Sequence, residues 1–221
     1  MTQRATGRES SARSQQRRDS ILKVSAELFA KQGFQKTTVR DIAEYAGLLS
    51  GSLYYYFDSK EDIADALLTR LMEYLWDRYQ QVLDSTAPPR EKLEAIVRVS
   101  LHGIDRYPNE VAIFQKEGPY LSTTDRFSYI AERNEQFRAM LTAVLAEGAT
   151  RHDFRSDLHV DVVFRLIRDS MWPIVGWYKP GGPLSIDAVV SDYLTVLFDG
   201  MANQSFTERP AAAKPVADQT A

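Results

Sequence analysis

Apolar residues return every three or four positions through most of the chain and strand signals are few, so the pattern predicts helices throughout. A first helix carries Ile21, Leu28 and Phe29 as its buried stripe and ends at Gly33-Phe34. A short second helix starts at Thr38, places Val39, Ile42, Ala43 and Ala46 on one face, and leaves through Gly47, whose backbone freedom suits a sharp exit. A third runs from Ser50, a candidate cap, to Phe57. From Lys60 the helices lengthen: 60–84 with Ile63, Leu67, Leu71, Leu75 and Trp76 at helical spacing, then 90–106, 108–117, 125–147 closed by Gly148, 158–179 and 185–203. Pro88-Pro89 and Pro180-Gly181-Gly182-Pro183 interrupt the series, since neither run can continue a helix. The predicted fold class is all-α. A leading arm at 1–14 precedes a small three-helix domain at 15–62, a larger helical domain at 63–203 and a flexible tail at 204–221.

The pair of short helices carries recognisable chemistry. Thr38 and Asp41 have the spacing of a capping box, with Asp in place of Glu. Ser50, Gly51 and Ser52 keep the leading end of the next helix small, which a helix entering a major groove needs in order to approach base edges. Their hydroxyls and the flanking Lys60 suit phosphate oxygens. Tyr54, Tyr55 and Tyr56 follow, and aromatic runs on helices are more often core than binding surface. Successive helical residues point about 100° apart, however, so at least one of the three faces solvent or a ligand.

Gly51, Leu53, Tyr54, Phe57, Ser59, Lys60 and Glu61 reproduce the Gly-x-Leu-Tyr-x-x-Phe-x-Ser-Lys-Glu signature that ends the helix-turn-helix of the TetR family of bacterial repressors. The resemblance covers residues 15–65 by motif. It implies a helix-turn-helix DNA-binding domain followed by a helical ligand-binding and dimerisation domain. Arg40 and Ser50, Gly51 and Ser52 would approach bases, and Tyr54, Tyr55, Tyr56 and Lys60 would contact or position phosphates.

Charge sharpens this picture only when it is divided. The 221 residues hold 27 Lys and Arg against 30 Asp and Glu, a net −3 that does not suggest a polyanion binder. Residues 1–60 hold ten against six, so the positive charge travels with the motif. Arg4, Arg8, Arg13, Arg17 and Arg18 lie in a polar leading segment with almost no apolar residues, predicted to be disordered without DNA. Two readings fit it equally: an arm that reaches phosphates or the minor groove, and a solvated tail. The chain has no cysteine, no apolar run long enough to span a membrane and no signal-peptide pattern, which together predict a cytoplasmic protein. His102, His152 and His159 are scattered, and neither a phosphate-cradling glycine loop nor a nucleophile elbow is present, so an enzyme is the weaker reading and no metal or resident cofactor is expected.

The last two helices would lie antiparallel, with Val162, Val163, Leu166, Ile167, Val189, Leu194, Val196 and Leu197 on their apolar faces. Two such pairs suit the four-helix interface of a homodimer that presents two reading heads to an inverted-repeat operator; alternatively, these faces complete the monomer core. Arg165 is flanked one turn away by Asp161 and Asp169, whereas the neighbours of Arg168 are Phe164, Arg165, Met171 and Trp172. Arg168 and Trp172 together suit a ligand with an anionic or carbonyl group on an apolar body, unless an acid distant in sequence pairs with the arginine. Arg133, between Tyr129 and Phe137, repeats the pattern more weakly.

A closer resemblance, to the actinobacterial branch of the family that represses catabolism of the cholesterol C and D rings, rests on Arg126-Phe127-Ser128-Tyr129-Ile130, Ile167-Arg168-Asp169, Trp172 and Trp177-Tyr178-Lys179-Pro180-Gly181-Gly182-Pro183-Leu184. It implies a coenzyme A thioester of a bicyclic steroid remnant as effector, contacted by Arg168 and Trp172. Gly176 departs from that group, in which a longer basic residue is expected, and Lys179 is the nearby cation able to compensate. The alternatives are a regulator of the same type that senses a fatty acyl-CoA or drug-like molecule, and a helical acyl-CoA-binding protein without regulatory DNA binding.

Overall fold

A computed structural model describes residues 3–199, with side chains from residue 13 onward. The tail at 204–221 and the end of the last expected helix lie outside the described residues. The elements are α1 (Gln3–Gln32), α2 (Val39–Tyr45), α3 (Ser50–Leu53), α4 (Lys60–Asp84), α5 (Pro89–Arg106), α6 (Pro108–Leu121), α7 (Tyr129–Thr150), α8 (Val160–Met171) and α9 (Ile186–Asp199). Two 3-10 turns, Asp125–Phe127 and Trp172–Gly176, join α6 to α7 and follow α8. No strand occurs among the described residues.

Two hydrophobic cores organise these helices. The smaller gathers Ile21, Phe29, Phe34, Ile42, Leu53 and Phe57 with the first turns of α4, and it also takes Ile113, Leu121, Phe127 and Ile130 from the larger domain. The larger core lies among the rest of α4, α5, α7, α8 and α9. At its centre the Tyr79 hydroxyl lies 2.6 Å from Ser100 Oγ. Burial drives that phenol's pKa well upward, so it stays neutral.

Four expectations need correction. Residues 3–14 are not a disordered arm in this structure but the leading turns of α1. Gln, Arg, Ala and Ser extend an existing helix at little cost, because the unfavourable nucleation step lies in the packed part of α1. The helix expected from Ser50 to Phe57 stops at Leu53, and its N-cap is Leu49 rather than Ser50. Tyr56 and Phe57 close back onto the Leu53 carbonyl at 2.9 and 3.1 Å, which turns the chain toward α4. Finally, the helix expected over 158–179 ends at Met171. Pro173 fits at the start of a 3-10 turn but cannot donate within an α-helix.

The apolar faces of α8 and α9 divide. Ile167, Val189 and Leu194 are buried in the protein's own core and Val163 and Leu197 pack against it. Val162, Leu166 and Val196 remain exposed, Leu166 at 66%. Trp177, in the loop before α9, is also exposed.

The junction between α7 and the following loop is tightly filled. A Cβ on Gly148 would fall within the Phe154 ring, and that ring stacks on Phe198 of α9 at 6.4 Å. Gly148→Ala is therefore expected to push Phe154 off α9 and lower stability by about 1–3 kcal/mol, read as the shift in a urea unfolding midpoint.

Candidate functional site

The reading head is built by local capping and one glycine. Thr38 Oγ1 accepts from the Asp41 amide at 3.1 Å while the Thr38 amide donates to Asp41 Oδ2 at 2.9 Å, completing the capping box. The hydrogen bond donated by the Thr38 amide, followed by hydrogen bonding from the Thr38 side chain, holds the Asp41 carboxyl below its ordinary range. Gly47 adopts φ 64°, a left-handed conformation costly to other residues, so α2 can end abruptly and deliver Leu48 to the core edge. Leu53 and Phe57 anchor α3 and the turn after it, and the Arg18 guanidinium lies 4.5 Å over the Phe57 ring.

That anchoring leaves Arg40, Ser50, Gly51, Ser52, Tyr54 and Tyr55 exposed together. Tyr55 is 84% exposed, and nothing within 4 Å would meet a Cβ on Gly51. The glycine therefore fills no packing need inside the chain and leaves room for another body to approach. Tyr56 packs on the smaller core and meets Tyr55 edge-on at 5.4 Å. The three tyrosines thus split between core and surface.

Lys60, expected to contact or position phosphates, makes several contacts within the chain. Its ammonium donates to the carbonyls of Phe34, Gln35 and Thr37 at 3.1, 3.4 and 3.2 Å and sits 4.5 Å over the Phe34 ring. It thereby fastens the turn between α1 and α2 to the start of α4 through three loop carbonyls.

A cavity of about 570 Å³ opens in the larger domain between α4, α6, α7 and α8. Trp76, Phe114, Phe137, Phe164 and Trp172 form much of its wall, and Arg168 and Arg138 bring charge to it. The Arg168 guanidinium lies 5.3 Å from the Phe164 ring centre. Arg168 and Trp172 therefore meet at one site, as expected, but Arg168 is not unpaired. Its Nε and Nη2 donate to Asp169 Oδ1 and Oδ2 at 2.6 and 3.0 Å. Asp161 pairs with Arg138 at 3.0 Å rather than with Arg165.

Arg133 and Tyr129 do not line the cavity. Arg133 lies 4.9 Å over the Trp76 ring and donates to Gln136, backing the wall from outside. The Tyr129 hydroxyl is buried without a hydrogen-bond partner of good geometry, near Asp65 and Thr69, and burial raises its pKa. Gln115, Ser122, Asn134, Glu135 and Arg138 are polar lining residues that spacing did not single out. Gly176 faces open space, with nothing within 4 Å of a Cβ there.

The two domains are held together at defined atoms. Glu117 of α6, almost fully buried, accepts from the Phe34 amide at 3.2 Å. Arg126, in the turn before α7, pairs with Asp62 in the first turn of α4. The hydrogen bonds from Ser59, followed by the pairing with Arg126, keep the Asp62 carboxyl below its usual range.

Residues 21–67 match the family described as bacterial regulatory proteins, tetR family, and residues 86–201 match the tetracyclin repressor-like C-terminal domain. The chain is 44% identical over 188 residues to the HTH-type transcriptional repressor KstR2 of Mycobacterium tuberculosis, covering 85% of this chain and 94% of that one. It is 43% identical to KstR2 of Rhodococcus jostii over 187 residues, 85% and 92% of the two chains. The structure of the ketosteroid transcriptional regulator KstR2 of Mycobacterium tuberculosis superposes with a TM-score of 0.81 over 85% of this chain and 96% of that one, at 44% identity.

The carbonyl cage around Lys60 carries a stability consequence. Lys60→Met leaves the three carbonyls without their charged donor, and a loss of about 1–3 kcal/mol is expected, measured by chemical unfolding.

Proposed function

Because this chain belongs to the TetR family and is a helix-turn-helix transcriptional repressor close to the KstR2 repressors, we propose that it binds an inverted-repeat operator as a homodimer and is released by an acyl-CoA, a bicyclic thioester derived from steroid catabolism. It would do so in the cytoplasm and without turnover of the ligand. The observation that carries the effector reading is Arg168 beside Trp172 in one aromatic-walled cavity. A cavity of this size suits a small-molecule body, with polar groups fixing its orientation. The acyl body would lie on Trp172, Phe137 and Phe164, while Arg168 takes an oxygen of the ligand's charged or carbonyl portion. Arg138 would supply a second guanidinium at the cavity wall.

On the DNA side, Arg40, Ser50, Gly51 and Ser52 would reach base edges, and Tyr54 and Tyr55 would lie against phosphates. The exposed strip of Val162, Leu166 and Val196 would join two copies, setting two reading heads on successive major grooves. Ligand and operator would then weaken each other to the same degree.

The test is to bind the purified protein to duplex from its own upstream region and titrate with a bicyclic steroid-derived acyl-CoA, a long-chain fatty acyl-CoA and free coenzyme A. Release by the steroid thioester alone is expected. Release by the fatty acyl-CoA alone would reassign the ligand, and insensitivity to all three would remove the effector. Arg168→Met should keep operator affinity and require at least tenfold more thioester for release, since a charge-assisted contact contributes about 1.5–3 kcal/mol. Leu166→Glu should weaken dimerisation by about 2 kcal/mol or more, seen as monomer in sedimentation with helix content unchanged.

A further inference from the structure

Asp169 borders two surfaces at once. On one side it sits on the cavity rim, where its two oxygens take the Nε and Nη2 donors of Arg168. On the other it borders a shallow depression on the outer face of α8 with Val162, Arg165, Leu166 and Ser170. Among the described residues, the ion pairs present leave Arg165 without a carboxylate within 4 Å, although it stands one turn before Asp169. The hydrogen bonds from Arg168 depress the Asp169 pKa, and the field of Arg165 acts in the same direction.

Two guanidiniums therefore face one carboxylate. Adjacent residues on a helix point away from each other, so the Arg168–Asp169 contact forms only because the arginine folds across to its neighbour. Residues four apart, such as Arg165 and Asp169, are natural partners. Both members of the existing pair are substantially exposed, at 41% and 60% of their side chains. Such a pair is weak and exchanges readily.

We infer that Asp169 is an exchangeable internal counter-ion: it occupies Arg168 while the cavity is empty and moves to Arg165 when an anionic ligand takes the Arg168 guanidinium. This rests on reading the cavity as the site of an anionic thioester. It makes Asp169 a determinant of specificity, because a neutral ligand cannot displace it without leaving the arginine's charge uncompensated. It also carries occupancy of the cavity to the outer face of α8, since the relocated carboxylate neutralises Arg165 beside Leu166.

Asp169→Asn keeps the side-chain volume and one acceptor while removing the competing charge. The probes are the bicyclic steroid-acid CoA thioester and the methyl ester of the same acid. Binding is followed through tryptophan emission, since Trp76 and Trp172 both line the cavity. Asp169→Asn should bind the thioester about fivefold tighter than the parent, the equivalent of about 1 kcal/mol, and the methyl ester equally well. Arg165→Met, which removes the alternative partner, should bind the thioester about twofold to fivefold more weakly with the methyl ester unchanged. Equal or weaker thioester binding by Asp169→Asn would overturn the counter-ion role and leave the effector reading intact. Should that variant not fold, unchanged thioester affinity in Arg165→Met would overturn it in the same way. A parent protein that does not bind the thioester overturns both readings.

Discussion

The arrangement depends on α4 belonging to both hydrophobic cores. Ile63, Ala64, Leu67 and Leu68 are buried in the smaller core, and Leu71, Met72, Leu75 and Tyr79 in the larger. Neither glycine nor proline interrupts residues 60–84, so nothing in the helix offers a local kink. Met72, Leu75 and Trp76 also form part of the cavity wall. A change in cavity shape that moves these side chains therefore acts on the rod whose other end packs on the reading head. Helix α6 makes a second bridge. Its Phe114 and Gly118 face the cavity, while Glu117 holds the Phe34 amide beside the turn into α2. Arg126 adds a third attachment at Asp62.

The reading head itself is small and relies on those attachments. With α3 only four residues long, its position comes from Leu53 and Phe57 in the core, from Arg18 over Phe57 and from Lys60 in its carbonyl cage, rather than from helix stability. The same economy leaves the outward surface free. Polar side chains that would otherwise cap or fasten the element remain available to a partner, and the anchoring contacts lie behind it.

Much of this was legible in the chain, and what was not has identifiable causes. The Thr38–Asp41 box and the turn at Gly47 depend on residues close in sequence, so spacing alone revealed them. The Arg168–Trp172 pairing was legible for the same reason, because one helix end carries both. The carbonyl contacts of Lys60 were not legible because its acceptors lie 23 to 26 residues upstream and are backbone carbonyls, which no side-chain pattern marks. Arg138 escaped notice because Asp161, its partner, stands 23 residues away on another helix. Asp169 was assigned to Arg165 because helical spacing favours residues four apart, whereas the structure joins it to its immediate neighbour. The eight apolar residues of α8 and α9 looked alike in sequence, and only packing separates those that complete the core from those left exposed.

The charges at the cavity wall are balanced within the chain. Each guanidinium there is already neutralised: Arg168 by Asp169, and Arg138 by Glu135 and Asp161. The Arg168 and Arg138 side chains remain 41% and 47% exposed, so these pairs are weak and balance the charge at the wall without offsetting a large burial cost. An anionic ligand would meet these carboxylates as competitors rather than fill a vacancy. Its net electrostatic gain is thereby reduced, and discrimination shifts toward the fit of its apolar body against Trp172, Phe137 and Phe164. Displaced carboxylates must also find new partners, and those of Arg168 and Arg138 lie on α7 and α8. A ligand that displaced them would redistribute charge across the helices that frame the cavity, and it would shift an equilibrium between two states of the domain only by as much as its affinity for them differs.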